Sequence, residues 1–111
     1  MSKRSDALLI QDIVEAAEKI ESYTQNFNFN QFNNDSKTAD AVIRNFEIIG
    51  EAANRLTESF KVQHPEIEWH KIRGFRNRIV HDYIDIDYEV VWQIKINYLP
   101  VLIKQLKDIY L

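Results

Sequence analysis

Apolar side chains recur every three or four residues in four separate stretches of the chain, which is the spacing of one face of an α-helix. The predicted helices cover about residues 5–24, 36–61, 68–83 and 87–110. Polar and charged residues fill the positions between the apolar ones, so each helix is amphipathic. Amphipathic helices joined by short connections predict an all-α fold, an antiparallel bundle of four to five helices.

The breaks between these stretches carry typical turn and cap residues. Ser5 or Asp6 is expected to cap the first helix, and Asp35 or Ser36 the second. Residues 25–35 are rich in asparagine, which favours turns, and their phenylalanines would anchor this connection through a short helical turn. The sequence shows no linker and no internal repeat, so residues 1–111 are predicted to form a single domain.

Two glycines and two prolines are too few for the many turns of an all-β sandwich or barrel. Gly50 and Gly74 fall inside predicted helices, where glycine costs about 1 kcal/mol relative to alanine. Close helix packing is the expected reason at Gly50. Pro100 predicts a kink in the last helix, since it lacks a backbone donor.

Cysteine is absent, which excludes disulfides and thiolate metal sites and is typical of a protein in a reducing cytoplasm. No apolar run approaches the roughly 18 residues of a membrane span, and the N-terminus lacks the features of a signal peptide. We therefore expect a cytoplasmic protein that does not enter the membrane.

Charge is distributed unevenly along the chain. The net charge is −3, yet residues 70–83 carry four cations and a single anion. An acidic protein is poorly suited to coat nucleic acid in general, because phosphate contacts supply most non-specific affinity. A small cationic site on an acidic body fits a site that holds one or two phosphates.

The sequence Arg76-Asn77-Arg78-Ile79-Val80-His81-Asp82-Tyr83 combines groups that can act on a phosphodiester. On a helix, Asn77 and His81 lie one turn apart, whereas Arg76 and His81 lie about 140° apart. One helix therefore cannot aim both side chains squarely at one small ligand. Two copies of the helix that meet across a two-fold axis could close a shared pocket, so we infer a homodimer.

Such a pocket holds the groups needed to cut RNA without a metal ion. One histidine can accept the proton of a ribose 2′-hydroxyl, and a second can protonate the leaving 5′-oxygen. Arg76 can stabilise the developing charge, and Asn77 could orient His81. Non-catalytic interpretations are also open. A histidine near a helix end often serves as a cap, and Tyr83 on the apolar stripe can be a half-buried residue that packs against the core.

The segment from Arg76 to Tyr83 resembles the R-x4-H-x-Y signature of the HepT toxin family, within the HEPN superfamily of small helical proteins. The likeness extends to ADAVIRNFEIIGEAA at residues 39–53, to the HPEIEW that precedes the motif, and to DYEVVWQIKINYLPVL after it. It covers about residues 5–108 in the same order.

The resemblance implies a HEPN-like helical homodimer with the motif helices at a shared cleft. It implies a metal-independent endoribonuclease that acts on RNA as the toxin of a type VII toxin–antitoxin module and needs no cofactor. Arg76 and His81 would be catalytic, with Asn77 and Arg78 in supporting positions. The partner would be an MntA-type minimal nucleotidyltransferase antitoxin, which silences the nuclease by transferring AMP to Tyr83.

Two other functions stay open at this point. The chain could be a non-catalytic helical subunit that serves a nucleotidyltransferase as partner or substrate, or a purely structural oligomer. His64 and His70 have no carboxylate pair at metal-ligand spacing, so no metal site is expected. Arg44, Glu47 and Glu51 form either a surface ladder of ion pairs or contacts to the motif helix. Trp69 and Trp92 are predicted to lie in the core.

Overall fold

Helices make up the architecture of this chain. The computed structural model describes residues 4–80 and 86–110, except the side chains of residues 76, 78–80 and 110. Over that part of the chain we find six α-helices and no strand, which confirms the predicted all-α bundle. The helices are α1 (Asp6–Tyr23), α2 (Phe29–Asn33), α3 (Ser36–Arg55), α4 (Glu58–Gln63), α5 (Trp69–Val80) and α6 (Tyr88–Tyr110).

Side-chain caps set the starts of the long helices. The Ser5 hydroxyl accepts a hydrogen bond from the backbone N–H of Leu8 at the start of α1. Asp35 accepts from the backbone N–H of Thr38 at 3.0 Å and begins α3. Each cap satisfies a backbone donor that has no partner within its helix. The predicted starts of these two helices are therefore confirmed.

The second predicted helix is wrong in its extent. It was expected to run to about residue 61, but α3 ends at Arg55 and a separate helix, α4, follows. Leu56 is extended, and Thr57 donates both its backbone N–H and its hydroxyl to the Asp6 carboxylate, at 3.0 and 2.7 Å. The Thr57 hydroxyl also accepts from the N–H of Phe60 and caps α4. The helix is thus interrupted by the hydrogen bonds from Thr57 to Asp6 at the start of α1, although the helical spacing of apolar residues continues through this point of the sequence.

The asparagine-rich connection contains the short helix α2. Its first turn is held by a reciprocal pair of hydrogen bonds of 2.8 Å between Asn28 and Gln31, each side chain accepting from the other's backbone. Phe32 is fully buried, with its ring centroid 5.1 Å from that of Trp92 and 5.8 Å from that of Tyr88. The predicted aromatic anchor and helical turn are both present.

The core lies between the long helices. α3 packs against both α1 and α5, and α6 packs against α1 and α2. Trp69 and Trp92 are buried, as predicted. Among the described helices, none combines the length and the apolar character that crossing a membrane requires. α6 continues through Pro100, whose ring is exposed.

Candidate active site

The orientation of α5 is set by three buried residues on one of its faces. Trp69, Ile72 and Phe75 lie three residues apart and are each at most 8% exposed. The ring of Phe75 meets that of Phe46 on α3 edge-on, with the centroids 6.3 Å apart. Because this face is held against α3, the opposite face of α5 must point to solvent.

The first turn of α5 is fixed by a second set of contacts. The indole N–H of Trp69 donates to the backbone carbonyl of His64 at 3.1 Å. The Trp69 ring also packs edge-on against Phe60 of α4, at 5.9 Å between centroids. α5 therefore cannot rotate about its axis without breaking a partly buried hydrogen bond and two aromatic contacts.

Lys71 on α5 contacts the preceding Glu68 and the Tyr98 ring of α6. Its ammonium lies 3.0 Å from the Glu68 carboxylate and 5.2 Å from the centroid of the Tyr98 ring on α6. The Glu68 carboxylate, with a smaller contribution from Tyr98, raises the pKa of Lys71 above its ordinary value. Lys71 is thus a cation already engaged within the protomer.

The solvent face of α5 consists of His70, Arg73, Gly74 and Asn77. The side chains of His70, Arg73 and Asn77 are exposed, and Gly74 is half-buried. At 100° per residue, these four positions fall within about 100° of helix surface, opposite the buried residues. Within the described part of the chain, the Arg73 guanidinium has no salt bridge or hydrogen bond. This face offers an unpaired cation, an imidazole and an amide to solvent.

The structure places part of the predicted motif. Arg76, Asn77 and Arg78 belong to the last turns of α5, and Asn77 is exposed. The side chains of Arg76 and Arg78 lie outside the described residues, as do His81 and Tyr83 altogether. Their predicted roles, and the shared pocket of a homodimer, stay predictions.

Arg73 and Gly74 received no separate role from the sequence. The signal was present in the spacing of Trp69, Ile72 and Phe75, because residues three apart identify the buried side of a helix and therefore its exposed side. Spacing alone could not reveal that Lys71 is paired, whereas Arg73 has no ion pair or hydrogen bond with a described residue.

The charged residues of α3 do not form the predicted ladder. Arg44, Glu47 and Glu51 line a shallow depression of about 300 Å³ together with Leu9 and Asp12 of α1. No salt bridge joins Arg44 to either glutamate among the described side chains. These residues border α1, and no contact with the described part of α5 supports a role for them beside the motif helix.

Comparison with known proteins places this arrangement of helices in a family. The protein-family model described as ribonuclease HepT-like matches residues 13–109, which include all of α3, α4 and α5. The chain belongs to the HepT-like ribonuclease family. The predicted family and the predicted ribonuclease class are thereby confirmed.

Relatives of this HepT-like chain agree with the assignment. It is 37% identical over 109 residues to a candidate RNase of Methanocaldococcus jannaschii, an alignment that covers 98% of this chain and 90% of the relative. It is 43% identical over 91 residues to a candidate ribonuclease HepT of Thermococcus cleftensis, covering 82% and 83% of the two chains. No solved structure matches the chain.

Proposed function

We propose that this chain is a metal-independent endoribonuclease, the toxin of a type VII toxin–antitoxin module, whose site forms where two copies meet. The proposal rests on the difference between the two faces of α5. Its buried face is fixed on α3, and its exposed face presents His70 and Arg73 just before the motif and Asn77 within it. A rigid helix that holds polar groups toward solvent is a suitable support for a catalytic site.

The chemistry follows from the motif side chains. A neutral His81 accepts the proton of a ribose 2′-hydroxyl as the 2′-oxygen attacks phosphorus. The bond from phosphorus to the 5′-oxygen breaks, and a protonated His81 from the second copy gives its proton to that oxygen. Arg76 stabilises the charge on the non-bridging oxygens. The products are a 2′,3′-cyclic phosphate and a free 5′-hydroxyl, and no metal ion takes part.

The helical spacing supports a site built from two copies. Arg76 and His81 project about 140° apart on a helix, so a single α5 cannot aim both squarely at one phosphate. The exposed face of α5 supports a site at its C-terminal end that a second copy completes. Each subunit then supplies one histidine, which accounts for a base and an acid in the same cleft.

Purified protein is expected to cleave single-stranded RNA in the presence of excess chelator. The reason is that imidazole and guanidinium groups perform every proton transfer and charge stabilisation in the proposed mechanism. Mass spectrometry of the fragments should reveal 2′,3′-cyclic phosphate ends. Cleavage that stops with chelator and returns with a divalent ion, or fragments with 5′-phosphate ends, would contradict the proposal.

The proposed silencing acts on Tyr83, two residues beyond His81. Transfer of AMP from ATP to the tyrosine hydroxyl, with release of pyrophosphate, would place an anionic group beside Arg76 and Arg78. Such an adduct would compete with RNA phosphate for the arginines and fill the cleft. An MntA-type nucleotidyltransferase is the proposed partner that catalyses this step.

Incubation with ATP and an MntA-type nucleotidyltransferase is expected to add one or more AMP units and to abolish RNA cleavage. Tyr83→Phe should gain no mass and keep its nuclease activity, because it retains the ring but lacks the acceptor oxygen. Tyr98→Phe is a matched control and should be modified like the parent. A mass gain that persists in Tyr83→Phe would exclude Tyr83 as the sole acceptor. Modification of a parent protein that never cleaves RNA would favour the non-catalytic partner function.

A further inference from the structure

The packing of the described part of this protomer does not explain Gly74. It lies inside α5, where glycine is a poor helix former, and its φ is not positive. A Cβ atom added at this position would meet no described atom within 4 Å. Neither a turn nor close packing within the described chain therefore requires a glycine here. A further structural use of glycine is to let another molecule's backbone come close to the helix.

The side chains around Gly74 indicate the charge of that molecule. His70, Arg73 and Asn77 share the exposed face with it, and no acidic residue lies between positions 69 and 81. The carboxylate of Glu68, the residue just before α5, is engaged with Lys71 at 3.0 Å. Arg73 has no partner among the described residues. This cationic surface therefore complements an anionic partner.

We propose that the face His70–Arg73–Gly74–Asn77 is an RNA-backbone track, along which the phosphodiester chain lies as it enters the cleavage site. Arg73 contacts a phosphate, and His70 and Asn77 donate hydrogen bonds to phosphate or ribose oxygens. Gly74 lets the sugar–phosphate backbone lie against the helix. The track is about 10 Å long at 1.5 Å per residue, and it leads toward the motif.

A second copy of the chain fits this face less well than RNA. Two-fold packing of α5 on α5 at Gly74 would bring the Arg73 guanidinium of each copy close to that of the other. Like charges at close range oppose association, whereas a phosphodiester brings the opposite sign. In the proposed homodimer, this face therefore forms a wall of the cleft, and the contact between copies lies elsewhere.

The first test measures RNA binding in a protein that cannot cleave. The inference rests on the proposed function, so His81→Ala serves as the background and a short labelled single-stranded RNA as the probe. Arg73→Ala is expected to weaken binding roughly tenfold at low salt, and to reduce the slope of log K against log salt by about 0.7, which corresponds to one lost phosphate contact. Arg55→Ala removes an exposed arginine that borders α1, and binding should change less than twofold.

The second test fills the space above the glycine. Gly74→Leu is expected to weaken RNA binding at least tenfold, while its melting temperature is no lower than the parent's, because the side chain meets no described atom and leucine favours helix. Asn54→Leu adds the same side chain to an exposed position of α3 and should bind RNA like the parent. A drop in melting temperature for Gly74→Leu would contradict the open space that the inference requires.

The outcomes separate the two proposals. If the parent cleaves RNA but Arg73→Ala and Gly74→Leu bind it as tightly as the background protein, the track is wrong and the proposed function stands. If the parent never cleaves RNA but binding depends on Arg73 and Gly74, the function is wrong and the track stands. If Gly74→Leu changes the oligomeric state in sedimentation and leaves RNA affinity unchanged, a second copy occupies the face and the inference is overturned.

Discussion

His81→Ala is expected to lower the rate of RNA cleavage by at least a hundredfold. General acid–base catalysis typically contributes 10² to 10⁴-fold, and in the proposed site His81 supplies both the base and the acid. RNA affinity should change much less than the rate, because phosphate binding is assigned to the arginines. Single-turnover cleavage with saturating protein would separate the two effects.

His64→Gln is the matched control for this loss. His64 is the histidine of the turn between α4 and α5, and its imidazole lies 3.4 Å from the Glu66 carboxylate and 4.6 Å from the Phe60 ring centroid. Its backbone carbonyl, which accepts the Trp69 indole N–H, is unaffected by the substitution. Cleavage should stay within a few-fold of the parent. An equal loss in both variants would point to a structural effect instead of a catalytic one.

Mixed dimers extend the same experiment to the shared site. If each copy contributes one histidine to one cleft, a dimer of parent and His81→Ala subunits lacks either the base or the acid. Its activity should then fall close to that of the doubly substituted dimer. Activity of half the parent value would mean that each subunit cleaves on its own, and the composite site would be wrong.

The spacing of apolar and capping residues was sufficient to predict those parts of the fold that depend on interactions between sequence neighbours. The periodic apolar residues of α5 identified its buried face, and residue type and position limited each cap to two neighbouring residues, of which Ser5 and Asp35 are the ones observed. These features depend on neighbours within one or two turns, so the sequence contains them directly. The exposed face of the site helix could be inferred in the same way.

Long-range contacts were beyond local reasoning. The end of α3 depends on Thr57 bonding to Asp6, which lies 51 residues away in sequence. Nothing in the apolar period through Phe60 signals that bond. The α3 ladder failed for a related reason: the depression that it lines is formed with α1, and the proximity of Arg44 to Glu47 in sequence did not lead to an ion pair.

The same distinction applies to the candidate site. Residue type and spacing were enough to identify Arg76 and His81 as groups that can cleave a phosphodiester bond. Which neighbouring cations are free depends on tertiary partners. Lys71 is engaged by Glu68 and Tyr98, whereas Arg73 has no ion pair or hydrogen bond with a described residue, and the order of residues does not show this difference.

Phe46→Ala is expected to destabilise the protein by about 3–5 kcal/mol and to abolish cleavage at temperatures where the parent is active. Phe46 is fully buried in α3, and its ring supports Phe75 of the motif helix. Truncation removes apolar burial and leaves a cavity beneath α5. Because whole domains are stable by only about 5–15 kcal/mol, this loss is a large share of the total. Urea denaturation followed by circular dichroism would measure it.

Phe46→Leu and Val62→Ala are comparison variants for which smaller losses of stability are expected. Leucine keeps most of the buried volume, so the loss should be smaller than for alanine, and cleavage should survive at low temperature. Val62 is 73% exposed, and its truncation should change the free energy of unfolding by less than about 0.5 kcal/mol. The graded series tests whether activity follows the support under α5. If Phe46→Ala unfolded at the parent's urea midpoint, Phe46 would not hold the motif helix in place, and the rigid support assumed for the site would be wrong.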